Sequence, residues 1–150
     1  MRLSTRGRYG LKAMVDLAVE YGNGPVSIST LAAQQGISEA YLEQLVSALK
    51  KAGFIDSVRG AAGGYLLSRE PEAMAVGDIL TALEGGTDII DCVGTESPLC
   101  DNACSCSARP LWLKIQARIN GVLNETSLAD MADDYRIQMG RVNNAQSVSR

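Results

Sequence analysis

A mainly α-helical chain with one small β-hairpin, followed by a long helix that needs a partner, is the fold that three features of this sequence predict. Apolar residues recur at three- and four-residue spacing through most of the first fifty positions. Two short strand-like runs flank a glycine-rich stretch near residue 60, and a narrow apolar stripe follows Pro110.

Leu11, Met14, Val15, Leu17, Ala18 and Tyr21 share one face of a helix predicted over 5–21, which Gly22, Gly24 and Pro25 terminate. Ser29 is then a candidate N-cap for a two-turn helix carrying Leu31, Ala32 and Ala33, broken at Gly36. Ser38 caps a third helix through Tyr41, Leu42, Leu45, Val46 and Leu49, which Gly53 ends. A short helix, a glycine turn and a longer helix form a helix-turn-helix outline.

The runs 54–58 and 65–68 are rich in apolar residues and flank Arg59, Gly60, Ala61, Ala62, Gly63 and Gly64, which predicts a hairpin with a loose tip. Placed directly after the third helix, such a hairpin makes the unit a winged helix-turn-helix. A further short helix is expected over 76–83, before Gly85 and Gly86. Pro110 suits the first turn of a long helix, where Leu111, Ile115, Ile119 and Val122 recur at spacings of four, four and three. So narrow a stripe suits a seam between two helices, and these four residues are the expected dimer seam. The organisation predicted is therefore a DNA-binding unit over 1–84, a cysteine-bearing segment over 85–108, a dimerisation helix with a final helix over 109–140, and a polar, disordered tail over 141–150.

Composition narrows the function. The chain has 150 residues, 46% of them hydrophobic and 21% charged, a globular balance without room for a large enzyme. No apolar run reaches the ~18 residues of a membrane span, and the opening lacks the apolar stretch of a secretory signal, so a cytoplasmic protein with no membrane partner is expected. The net charge of −3 argues against nucleic acid until its distribution is examined. Residues 1–70 carry eight Lys and Arg against six Asp and Glu, whereas residues 71–150 carry six against eleven. Arg2, Arg6, Arg8 and Lys12 form a basic run at the end that carries the helix-turn-helix.

In that motif the second helix enters the major groove with its N-terminal residues against base edges. Those residues here are Ser38, Glu39, Ala40, Tyr41, Glu43 and Gln44. Gln can bond adenine in a bidentate manner, Ser can bond a base or a phosphate, and Glu can accept from cytosine. In the hairpin, Gly60, Gly63 and Gly64 would let the backbone come close to DNA, and Arg59 carries the charge that a narrow minor groove attracts. Two helices joined at a glycine can equally be packed helices, but the hairpin that follows, with Lys50 and Lys51 just before it, favours the DNA reading.

All four cysteines, Cys92, Cys100, Cys104 and Cys106, fall within fifteen residues. In a cytosolic chain such clustering points to metal or redox chemistry before structural disulfides. The spacing is not that of ferredoxins. A zinc site using all four thiols is the alternative, although zinc ligands are usually paired two to four residues apart and Cys104 and Cys106 have one residue between them.

The stretches MRLSTRGRYGLKAM, QGISEAYLEQLVSALKKAGFIDSVRGAAGGYLLSR, VGDILTALEG and CSARPLWLKI together resemble the IscR-type family of small bacterial iron-sulfur regulators, over roughly residues 1–130. The resemblance implies a homodimer, a winged helix-turn-helix in each subunit, a palindromic operator in double-stranded DNA, and a 2Fe-2S cluster held by three cysteines and supplied by cluster-assembly machinery. Cys92, Cys100 and Cys106 fall where the three cysteines of that family would be. The family pattern takes its fourth ligand from a His three residues after the last of them, and this chain has Arg109 there and no His at all. Arg keeps its proton and cannot bind iron. The fourth ligand is then Cys104 or, preferred here because sensors of this type keep one weaker bond, an oxygen or other non-cysteine donor such as Glu43 or Asp101. The alternative function is a regulator of the same architecture responding to thiol oxidation or nitric oxide; a small thiol oxidoreductase using Cys104 and Cys106 ranks below both, because no other catalytic constellation accompanies those thiols, and the chain is not expected to be an enzyme.

Overall fold

The structure, a computed structural model, describes residues 3–89, 91–93, 101–102 and 105–148. Its elements are α1 (Thr5–Val19), α2 (Ile28–Gln35), α3 (Glu39–Lys51), β1 (Ile55–Val58), β2 (Gly64–Leu67), α4 (Val76–Glu84), α5 (Arg109–Glu125) and α6 (Leu128–Val148). Short 3-10 turns lie at Pro71–Ala73, just before α4, and at Asp91–Val93, within the cysteine segment. The mainly helical class with one antiparallel hairpin is the one the sequence predicts.

One core joins the N-terminal elements to the last helix. Ala13, Met14, Leu17 and Ala18 of α1 meet Leu31 of α2, Leu42, Leu45 and Leu49 of α3, Ile79 and Leu83 of α4, and Leu128 and Ala132 of α6. The hairpin contributes Ile55 and Leu67, which face each other across its antiparallel register. Aliphatic side chains fill this core almost unaided, as a chain with one Phe and one Trp requires.

Local chemistry fixes the junction of α2 and α3. Ser27 and not Ser29 caps α2: its hydroxyl accepts from the Thr30 N–H at 3.1 Å, while Ser29 falls inside the first turn. The pattern misplaced this cap because Ser27, Ser29 and Thr30 all carry hydroxyls, and only Ser27 stands three residues before an N–H needing a partner. Gly36 ends α2 in the left-handed conformation (φ 64°, ψ 34°), reversing the chain within two residues so that Ser38 caps α3 by accepting from the Tyr41 N–H at 3.2 Å.

The last helix is longer than predicted. α6 opens with a capping box in which Ser127 and Asp130 exchange hydrogen bonds of 2.9 and 3.1 Å between side chain and backbone N–H. It runs on to Val148, where the sequence suggests a disordered tail from 141, because nothing after Gly140 breaks a helix. Its first turn is tied to the start of α4 by Leu128 N–H to Met74 O (2.8 Å) and Val76 N–H to Thr126 O (3.0 Å). Arg136 then donates to the carbonyls of Ala18 and Val19 at the C-terminus of α1, where the helix dipole favours a cation. Among the described residues no helix is long and apolar enough to cross a membrane.

Candidate nucleic-acid interface and cysteine segment

Helix α3 buries Leu42, Leu45, Val46 and Leu49 and turns its other face outward. Ser38, Glu39, Ala40, Glu43 and Gln44 are all exposed there, whereas Tyr41 is half-buried. The Tyr41 ring meets Tyr9 edge-on at 6.4 Å, and the Lys12 ammonium lies 5.3 Å from the Tyr9 ring centre. Tyr41 is therefore partly committed to holding α3 on α1. Of the basic run, Arg2 lies outside the described residues. Arg6 donates to Leu83 O at 2.9 Å, joining α1 to the end of α4, and Arg8 and Lys12 are exposed.

The hairpin is fixed beside α3 at two points. Lys50 of α3 donates to the Ser57 hydroxyl at 2.6 Å, and Ser68 donates to Gly53 O at 2.5 Å. Arg59 and Gly60 at the tip are exposed. Gly63 and Gly64 have a structural reason of their own to lack side chains. A Cβ at Gly63 would meet the carbonyls of Val58 and Gly60, and one at Gly64 (φ 153°) would meet the backbone of Val26. That close approach lets Val26 and Tyr65 exchange two backbone hydrogen bonds of 2.8 Å, which pin the hairpin to the entry of α2. Lys50 was legible only as a charge near the hairpin, and its tethering role was not.

The cysteine segment leaves α4 and returns to α5. Cys92 is half-buried and Cys106 exposed, both free thiols, while Cys100 and Cys104 lie outside the described residues. The side chain of Arg109 donates to Cys92 O at 2.8 Å and its backbone N–H donates to Cys106 O at 3.4 Å, so one residue at the start of α5 touches the main chain of both cysteines. Among the described residues no group of three Cys, Asp or Glu side chains converges on one point. Glu43 is exposed on α3 and Asp101 is exposed in the segment. The donor chemistry suits iron-sulfur ligation, which uses thiolates, and both described thiols belong to the segment that Arg109 gathers.

Helix α5 is nearly uncovered within one subunit. Leu111 is 53% and Val122 64% exposed, with Ile115 and Ile119 half-buried. Gln116 is its one buried residue, 6% exposed, and nothing in the apolar spacing of the helix marks it. Its Oε1 accepts from the Ile89 N–H at 2.7 Å, and its Nε2 donates to Thr87 O at 3.2 Å and to Asn120 Oδ1 at 2.9 Å.

Set against known protein families, residues 3–134 match Rrf2, described as an iron-dependent transcriptional regulator. The chain belongs to the Rrf2 family of transcriptional regulators. Among Rrf2 proteins, CymR of Bacillus subtilis strain 168 is 43% identical over 132 residues, covering 88% of this chain and 90% of CymR. IscR of Yersinia enterocolitica is 41% identical over 137 residues, covering 91% of this chain and 82% of IscR. The structure of B. subtilis CymR, described as the global cysteine regulator, matches with a TM-score of 0.76 at 42% identity, over 89% of this chain and 97% of that one. That of T. potens IscR matches with a TM-score of 0.73 at 43% identity, over 90% and 88%. These Rrf2 relatives are transcriptional regulators, and this chain is a DNA-binding regulator and not an enzyme. The IscR likeness expected from the four sequence stretches is present, and CymR stands equally near.

Proposed function

We propose that this Rrf2 regulator is a homodimer that reads a palindromic operator through α3 and the hairpin, with its operator affinity set by a 2Fe-2S cluster on the cysteine segment. Ser38, Glu39, Ala40, Glu43 and Gln44 face the major groove, with Tyr41 holding the helix in place, and Arg59 reaches the minor groove. Leu111, Ile115, Ile119 and Val122 pair the subunits, and two-fold symmetry in the protein then requires it in the operator. The observation that carries cluster sensing is the segment itself: four thiols within fifteen residues, its two described members gathered by Arg109 at the start of the uncovered helix. Cys92, Cys100 and Cys106 would hold the cluster, with Cys104 or a non-cysteine donor completing it, and cluster-assembly machinery would supply it. Such a cluster would supply redox- and iron-sensitive chemistry at the segment.

A second reading is favoured by the likeness to CymR, one structure of which, from Staphylococcus aureus, is of an oxidized form. In it the same thiols respond to oxidation without a cluster. Titration of an operator, selected by the protein from a random-sequence pool, separates the two. Cluster sensing predicts that anaerobic iron and sulfide loading changes affinity and that mild oxidation of metal-free protein does not; the reverse pattern favours the thiol switch.

A further inference from the structure

At ~100° per residue, Arg109, Gln116 and Asn120 fall within a narrow arc of α5. Leu111, Ile115, Ile119 and Val122 lie on average about 120° round the helix from that arc. One face of α5 therefore grips the segment that follows α4, and another is left for a partner. The grip uses backbone atoms of the segment: the N–H of Ile89 and the carbonyls of Thr87 and Cys92. Such bonds depend on the path of the segment and not on its side chains, so they form only when its backbone runs past α5 in this way. Gln116 is also the one buried polar side chain among the described residues. Left without partners, a buried amide is costly, so its bonds to the segment and to Asn120 are the condition of its burial.

We propose that Gln116 and Arg109 are positioning residues that clamp Thr87, Ile89 and Cys92 to α5, so that a change of state in the cysteines moves the dimer-forming helix. The proposal rests on the cysteine-sensing reading above. A rigid helix gripped on one face and paired on another carries a displacement of the segment to the seam, and from there to the spacing of the two reading heads. Gln116 contacts no thiol; it acts through Thr87 and Ile89.

The test uses full-length protein and two variants: Gln116→Met, which keeps a long side chain of similar volume without its amide, and Arg109→Met, at a half-buried site outside the core. Hydrogen–deuterium exchange on metal-free protein reads the clamp directly. The Ile89 amide should exchange about tenfold or more faster in Gln116→Met, and less so in Arg109→Met, with the core of α1 and α3 unchanged. Unchanged exchange at Ile89 overturns the clamp. Coupling is read as the ratio of operator affinities with and without anaerobic iron and sulfide loading. The parent should show a ratio that both variants bring towards one while remaining dimeric. A parent ratio that the variants preserve overturns the coupling but leaves cysteine sensing standing. A parent ratio of one overturns cluster sensing, and the coupling with it, even where the exchange result upholds the clamp.

Discussion

The guanidinium of Arg109 donates to the carbonyl of Cys92 at 2.8 Å, from the position where the IscR-type resemblance implies a ligating His. A residue unable to bind iron thus anchors the main chain of a cysteine instead. Arg109→Ala removes a charge-assisted hydrogen bond without removing a thiol. Protein reconstituted with iron and sulfide should then surrender its iron to a chelator about tenfold faster than the parent, with Arg109→Lys between the two. Equal release rates would show that the contact does nothing for the segment.

The exposed face of α3 and the hairpin tip make a second expectation. Gln44→Ala and Arg59→Ala should each weaken operator binding by ~1–3 kcal/mol while leaving the dimer intact. A titration at matched salt checks this, and parent-like binding by both would misplace the reading surface.

Helix α5 offers a cleaner test of the seam than most interfaces. Leu111 and Val122 are more than half exposed in the single subunit, so Leu111→Glu and Val122→Glu should leave the subunit folded. In a dimer they put an unpaired charge into a dry seam, and sedimentation equilibrium should find monomers with lost operator affinity. Ile115→Glu and Ile119→Glu should do the same. Unaltered dimers in all four would remove α5 from the interface.

Burial pushes the Asp16 carboxyl above its ordinary value of 3.8, against the lowering influence of its hydrogen bond from Gln35 and of nearby Lys12. A carboxylate raised in the fold contributes stability at low pH that is lost as pH rises through its folded value. Asp16→Asn, which abolishes the charge and still offers Gln35 an acceptor, should therefore melt a few degrees above the parent at pH 7. The difference should vanish below about pH 3.8, where Asp16 is protonated folded or unfolded. A constant gain at both pH values would assign the effect to something other than ionisation.

The fold of the α2–α3 pair was legible in the sequence because its determinants are local. Ser38, Gly36 and the apolar spacing of α3 act within a few residues of one another, and their chemistry survives in any tertiary setting. What escaped was set by distant partners. Gln116 looks like a surface residue on a helix, and only the return of the segment at Thr87 and Ile89 makes it a buried clamp. Arg136 reads as a solvated charge until α6 brings it to the end of α1. The glycines at 63 and 64 read as room for DNA, although the backbone of Val26 already gives Gly64 a reason to be small. At the cysteine segment the clustering of the thiols was plain, but the contacts of Arg109 with the main chain of Cys92 and Cys106 were not, since they depend on how the segment returns to α5.

Cluster sensing stands most directly on the visible absorbance and on the iron, sulfide and zinc content of anaerobically purified protein, measured for the parent and for each Cys→Ala variant. The account predicts a coloured parent with two iron and two sulfide per subunit, as a 2Fe-2S cluster requires. It predicts colourless Cys92→Ala, Cys100→Ala and Cys106→Ala, and a Cys104→Ala that keeps colour and iron. A colourless parent holding zinc, or holding no metal while its operator affinity still follows thiol oxidation, would contradict it.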